Sequence, residues 1–272
     1  MTCYHSKPAW KSGLPNENEK HPIRFNFRDK TPDYFIDCGK CEGCRTKQRR
    51  DWAIRMYHEA KYHEHNSFVT LTYNDENMPQ DGKISKPDIQ KFLKRLRKEL
   101  DNQVRYYIVG EYGEQTRRPH YHACFFGQDF RGPNMYPIRE RVWANPHLDR
   151  IWSRGHVEIA EFNLATAMYT AGYVNKKLDD TDTFALQSRN PPLGKQWVLQ
   201  YADQLRRIKS IPINGQEHPI PSLYLRWLDG TQEQQEIKEA LADKIKPLND
   251  QKLRSKKINQ VKNTQLLRKS KI

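Results

Sequence analysis

From Thr46 to about His65 the chain spaces Trp52, Arg55 and Met56, then Glu59 and Ala60, at helical intervals with charge on the other side, which predicts a first helix. The period then changes. SFVTLTY, residues 67 to 73, alternates β-branched and aromatic positions as a strand does, and NDENMPQDG after it carries turn chemistry. SKPDIQKFLKRLRKEL, residues 85 to 100, opens on an acidic first turn and repeats Ile89, Phe92, Leu93, Leu96 and Leu100 at helical spacing, predicting a second helix. VRYYIVGEYG and PHYHACFFG, residues 104 to 113 and 119 to 127, read as two strands joined by the polar EQTRR, an antiparallel pair. GHVEIAEF, residues 155 to 162, is a further strand, and NLATAMYTAGYVNKKL, residues 163 to 178, a helix capped by Asn163.

Outside this span the pattern weakens. Residues 1 to 37 are rich in Pro, Asn and charge without sustained period, an arm that wraps rather than forms a core, with one short strand at HPIRFNF. GKQWVLQYADQLRRI, residues 194 to 208, suggests one helix, INGQEHPIPSLYLRWL shows no clear period, and TQEQQEIKEALADKI is a charged helix. The terminal KLRSKKINQVKNTQLLRKSKI is strongly basic, an arm for phosphate. Because no helix separates the strand pair beginning at Val104, the pattern favours an α+β domain with a largely antiparallel sheet over a doubly wound parallel one. The expected division is 1–45 as an N-terminal arm with its cysteines, 46–178 as the main domain, and 179–272 as a less defined region ending in the basic tail.

Charge narrows the partners. The 272 residues are 36% hydrophobic and 29% charged, enough for one core with appendages, and the formal net charge is +14. Lys and Arg replace the counterions condensed on phosphates, so nucleic acid is the favoured partner and an anionic membrane surface the second. The first residues lack the continuous apolar core of a signal peptide and no stretch is long enough to span a bilayer, so the expectation is a soluble intracellular protein with no membrane partner.

Three groups of residues carry candidate chemistry. In a strand, His120 and His122 project from one face while Tyr121 points away, which makes half a metal site; a hydrogen-bonded surface pair is the competing reading. Glu111, near the end of the preceding strand, is the candidate third ligand, with Glu114 as runner-up. Mixed imidazole and carboxylate ligation suits Mg²⁺ or Mn²⁺, with zinc as the other option. On a helix, Tyr169 and Tyr173 stack along one face with Lys176 one turn on, and packing of two aromatics against a sheet is the plainer explanation. Gly172 between them suggests a place where a nucleic-acid backbone approaches. Cys38, Cys41 and Cys44 follow C-x₂-C-x₂-C, and Cys3 completes a candidate structural zinc set; an iron–sulfur cluster and three buried thiols are the alternatives. Cys124 lies in an apolar run and reads as core.

Taken in order, FVTLTY (68 to 73), GEYGEQTRRPHYHA (110 to 123) and YTAGYVNKK (169 to 177) resemble the three motifs of HUH endonucleases, where U is the hydrophobic residue between the histidines. The two-tyrosine form, with CGKCEGCR, WAIRMYHEA, KRLRKEL and VGEYGE, is similar to the rolling-circle replication initiators of gokushovirus-type microviruses. The likeness runs from about Cys3 to Leu178. It implies an antiparallel-sheet nuclease domain flanked by helices, with His120, His122 and Glu111 holding a divalent cation. It further implies that Tyr173 or Tyr169 attacks a scissile phosphate, with Lys176 assisting. The product would be a 5′-phosphotyrosyl bond and a 3′-hydroxyl for a host polymerase, and the second tyrosine would later release a closed circle. No G-x-x-x-x-G-K-[ST] motif is present, so unwinding is expected from a host helicase in the bacterial cytoplasm. Arg117, Arg118, Lys177, Lys256 and Lys257 are candidate phosphate contacts, and Thr70 and Thr72 candidate supporting residues. Two other classes remain open: a non-catalytic single-strand binder using the cysteine knuckle, Trp52, Tyr106 and Tyr107, and a metal-dependent hydrolase that needs neither tyrosine.

Overall fold

A computed structural model describes residues 3–16, 21–26, 31–100, 104–113, 115–132, 135–173 and 183–228. The helix expected at 231–245 and the basic tail lie outside them, as do Glu114, Lys176, Lys177, Lys256 and Lys257. The described chain divides into two compact units, one up to Lys47 and one from Gln48 onward.

The first unit holds β1 (Lys7–Lys11), β2 (Ile23–Arg24) and β3 (Tyr34–Ile36) in the order β2-β1-β3, antiparallel throughout. The segment expected as an arm with one strand is therefore a small sheet. Trp10 and Ala9 on β1 are buried, and that run is too short to register as a period in sequence. Helix α1 (Glu42–Ala60) starts four residues earlier than the spacing suggested, within the cysteine run.

In the second unit β4 (Asn66–Thr72), α2 (Lys86–Leu100), β5 (Arg105–Tyr112) and β6 (Pro119–Phe126) follow the predicted order. Next come the hairpin β7 (Tyr136–Arg139) and β8 (Val142–Ala144), then α3 (Pro146–Trp152), β9 (Val157–Glu161) and α4 (Leu164–Gly172). Strand β10 (Ala185–Gln187) completes a seven-stranded sheet ordered β10-β5-β6-β4-β9-β8-β7, in which every pairing is antiparallel. The molecule is thus α+β with a large antiparallel sheet flanked by helices.

Parity decides which face each residue serves. Val69 and Leu71 of β4, Ile108 of β5 and Tyr121, Ala123 and Phe125 of β6 pack on Ile89, Phe92 and Leu96 of α2 and on Trp152 of α3. Asn145 caps α3 by accepting from the amides of His147 and Leu148, and Arg95 of α2 donates to the Ile151 and Trp152 carbonyls at the other end, both at 2.7 Å. Val109, Cys124 and Phe126 face the opposite way, onto Ala53 and Met56 of α1 and Ala167 and Ala171 of α4. The two histidines share this second face.

The remaining elements are short: α5 (Lys195–Gln200), α6 (Ala202–Ile208), β11 (Ile211–Ile213), β12 (Gln216–His218) and α7 (Ser222–Trp227). The single helix expected at 194–208 is broken at Tyr201, whose φ and ψ of −107° and 24° are not helical. The segment without apparent period is a hairpin turning at Asn214 and Gly215, both at positive φ (49° and 75°), followed by α7. Among the described residues no helix is long and apolar enough to cross a membrane.

Candidate active site

The site is assembled from the register of three strands. Glu111 on β5 and Thr72 on β4 both lie opposite His120 on β6, while Thr70 on β4 and Val109 on β5 lie opposite His122. Gly110 makes the approach possible: a Cβ there would stand 2.5 Å from Cγ2 of Ile84 and 3.2 Å from the Tyr121 ring. Strand β5 can press against that wall only with glycine immediately before the carboxylate.

Oε1 of Glu111 lies 2.7 Å from Nε2 of His120 and 3.2 Å from Nε2 of His122, and the three ligating atoms fall within 4.8 Å of one another. Burial alone would raise the Glu111 carboxyl, but hydrogen bonds from His120 and His122 outweigh it and lower its pKa to about 2. Burial pulls the His122 imidazole the other way, below its ordinary value, against the raising effect of Glu111. The outer nitrogens are also engaged: Nδ1 of His120 sits 3.2 Å from the Arg118 carbonyl and Nδ1 of His122 3.0 Å from Oγ1 of Thr70. A proton on Nδ1 of His120 shared with that carbonyl leaves Nε2 with a lone pair for a metal ion on the Glu111 side. Two imidazoles and one carboxylate, converging from paired strands, fit a divalent cation that keeps open positions for oxygen ligands.

Helix α4 brings the phenols. Asn163 and Thr166 form a reciprocal capping box at its start, and the fully buried Ala167 and Ala171 let it lie close to the sheet. The Tyr173 ring stacks on His122 with centroids 5.2 Å apart and planes at 17°; Tyr169 meets the same imidazole edge-on at 5.1 Å, and the two phenol rings stand 4.9 Å apart at 90°. Phe68 lies along the imidazole plane as well, at 5.6 Å and 14°. Tyr169 is 46% exposed, open to an incoming strand. Tyr173 closes α4 as its C-terminal cap, and burial first, then Tyr169 and the negative Glu111, push its phenol above the ordinary value.

Other sequence candidates fall differently. The space beside Gly172 is occupied by Arg49, whose side chain would meet a Cβ at 3.3 Å and whose Nε donates to the Met168 carbonyl at 2.7 Å. That correction removes Gly172 as a place of nucleic-acid approach; Arg49 fastens α1 to the last turn of α4 instead. Arg118 holds Asp75 at 2.6 Å and the Tyr73 carbonyl at 3.1 Å, and Arg117, at a φ of 55°, lies over the Tyr112 ring at 4.7 Å. Tyr107 is fully buried against Trp52, so it cannot stack on bases. Cys124 is buried with its sulfur 3.5 Å from Oγ1 of Thr170. One group escaped the sequence reading: Glu158 of β9 is paired with Thr70 in the row that carries His122, and Arg139 grips it. Parity along GHVEIAEF was the available signal, but it needs the β4–β9 register to have meaning.

Residues 66–178 match the family model of the replication-associated protein ORF2. Over 214 residues the chain is 32% identical to "Replication-associated protein VP4" of Bdellovibrio phage phiMH2K, covering 71% of this chain and 67% of that protein. It is 31% identical over 198 residues to "Replication-associated protein ORF2" of Spiroplasma virus 4, covering 66% and 62% of the two chains. To "Replication-associated protein ORF4" of Chlamydia phage 1 it is 29% identical over 209 residues, covering 70% of this chain and 52% of the relative. No solved structure matches the chain.

Proposed function

The chain belongs to the family of phage replication-associated proteins, and from that premise we propose that it starts replication by nicking an origin in single-stranded or locally melted DNA through a tyrosine ester. The observation that carries this reading is the contact of both phenol rings with His122, on the face where Glu111, His120 and His122 converge. Glu111, His120 and His122 would hold Mg²⁺ or Mn²⁺, which when bound polarises the scissile phosphate. Tyr173 makes the first attack: its phenol oxygen bonds to phosphorus as the 3′ oxygen departs, leaving a 5′-phosphotyrosyl ester and a free 3′-hydroxyl for a host polymerase. Because Tyr173 is held in its protonated form by burial, the proton leaves as the new bond forms rather than beforehand. Lys176, three residues on, offsets charge on the departing oxygen. Tyr169, exposed beside it, makes the second cut, and the stored 3′-hydroxyl then reseals the circle. The ester conserves the energy of the broken phosphodiester, so resealing needs no nucleotide.

Incubating the full chain with circular single-stranded DNA and Mn²⁺, then separating under denaturing conditions, should give a protein–DNA adduct. Tyr169→Phe combined with Tyr173→Phe should give none. DNA binding without an adduct would leave a non-catalytic binder, and cleavage without an adduct would leave a hydrolase; either result ends this reading.

A further inference from the structure

The first unit brings four cysteines to one point. Cys3 precedes β1, Cys38 and Cys41 flank the turn after β3, and Cys44 lies in the first turn of α1. All five cysteines of the chain are free thiols, which leaves the separations of these four to be explained. Sγ of Cys41 is 3.6 Å from that of Cys44 and 3.8 Å from that of Cys3, and Sγ of Cys38 is 4.0 Å from that of Cys44. These are far beyond a disulfide bond of about 2.05 Å. They are, however, the edges of a particular solid: four sulfurs around one ion, each at about 2.3 Å, stand about 3.8 Å apart in a tetrahedron. All four ligating sulfurs fall within 4.8 Å of one another. An iron–sulfur cluster distributes its thiolates over several irons and holds the outer pairs further apart, so this spacing leaves room for a single ion.

The backbone is arranged for thiolates as well. The amides of Cys38 and His5 donate to Sγ of Cys3 at 3.2 and 3.4 Å, that of Tyr4 to Cys41 at 3.3 Å, and that of Cys41 to Cys38 at 3.4 Å. Such N–H donors compensate the charge that accumulates when four thiolates surround a divalent ion. The sheet itself supplies the need. Its strands are five, two and three residues long, and a unit of that size buries too little apolar surface to hold its own ends together.

We propose that Cys3, Cys38, Cys41 and Cys44 hold one zinc ion in tetrathiolate coordination, which ties the start of the chain to the turn after β3 and to the first turn of α1. Zinc suits this task because it has no redox chemistry and no geometric preference of its own, and each thiol gives its proton to solvent as the ion binds. The proposal stands apart from the nicking reading, since none of its ligands belongs to the sheet site.

The test is metal analysis of the full chain by plasma mass spectrometry after dialysis against EDTA. About one zinc per chain should remain, and it should remain in His120→Ala/His122→Ala but not in Cys41→Ser. Cobalt exchanged into the wild-type chain should show the strong visible absorption of tetrahedral cobalt thiolate. If Cys41→Ser fails to fold, titration of the wild-type chain with a mercurial in the presence of a chromogenic chelator gives the answer, with zinc released in step with thiol modification. Absence of metal, iron in place of zinc, loss of zinc from the histidine variant, or thiols modified without zinc release would each overturn the assignment.

Discussion

His122 is enclosed by the residues that would make it useful. Phe68 and Tyr173 lie along its plane, Thr70 meets Nδ1, and Glu111 meets Nε2. With its pKa lowered by burial the ring is neutral at pH 7 and presents a lone pair. Thr70 then decides which nitrogen that is, because a hydroxyl at Nδ1 holds the ring's orientation and tautomer. Thr70→Val should raise the Mn²⁺ concentration needed for half-maximal adduct formation about 10- to 100-fold, while Thr70→Ser stays near wild type. An unchanged Mn²⁺ requirement in the valine variant would remove Thr70 from the support of the site. The tyrosines are separable in the same assay: Tyr173→Phe should abolish the first nick, and Tyr169→Phe should keep the adduct but stop circle closure. The reverse pattern would exchange their roles.

At the scale of elements, α4 reaches the histidines only because it carries alanine where it touches the sheet. Ala171→Leu places a large side chain at a fully buried contact, a change that costs about 1–3 kcal/mol and moves the helix outward. It should cut adduct formation at least tenfold while DNA affinity stays within about twofold; equal losses in both would mean general unfolding. Helix α1 is held by a different device. His58, 1% exposed, stacks on Trp197 of α5 at 3.5 Å and has Nδ1 2.9 Å from the Tyr224 hydroxyl of α7. Burial lowers its pKa from 6.5 to about 3. The unfolded chain therefore binds a proton that the folded chain refuses, and stability falls as pH drops below 6.5 toward 3. Between pH 7 and pH 5 this group removes about 2 kcal/mol, which urea melts of wild type and His58→Gln should show as a steeper loss in wild type.

These elements also show what a single sequence reveals. The alternation in β4 and the helical spacing in α2 each run long enough to set both type and buried face, and the short polar link between β5 and β6 makes their pairing local. The same parity places His120 and His122 on one face of any strand. Helices α5, α6 and α7, at six or seven residues, complete less than two turns, so their periods are indistinct from loop. The Asn214-Gly215 turn was readable, but its flanking strands of three residues are too short to draw attention to it. What no pattern conveys is docking. The stacking of Tyr173 on His122, the position of Arg49 over Gly172 and the row joining Glu158 to Thr70 all depend on how separate elements settle against one another.

For the whole molecule the governing quantity is charge. A net +14 is an excess that a phosphate backbone neutralises, and it is concentrated toward the end of the chain: residues 252–272 contain eight Lys or Arg and no acidic residue. Each phosphate contact on single-stranded DNA contributes about 0.7 to the slope of log affinity against log salt, because each contact releases condensed counterion. If residues beyond Lys252 supply several of those contacts, a chain ending there should bind origin DNA with a slope shallower by about 2–4, and the full and shortened chains should converge in affinity at high salt. Adduct formation by the truncated chain should persist once DNA is saturating, because the groups that would carry the chemistry lie between Glu111 and Lys176. Binding titrations from low to high salt read the first quantity, and adduct yield at saturating DNA reads the second. Equal salt slopes would take the tail off the phosphate backbone, and loss of adduct at saturation would place part of the chemistry in the tail.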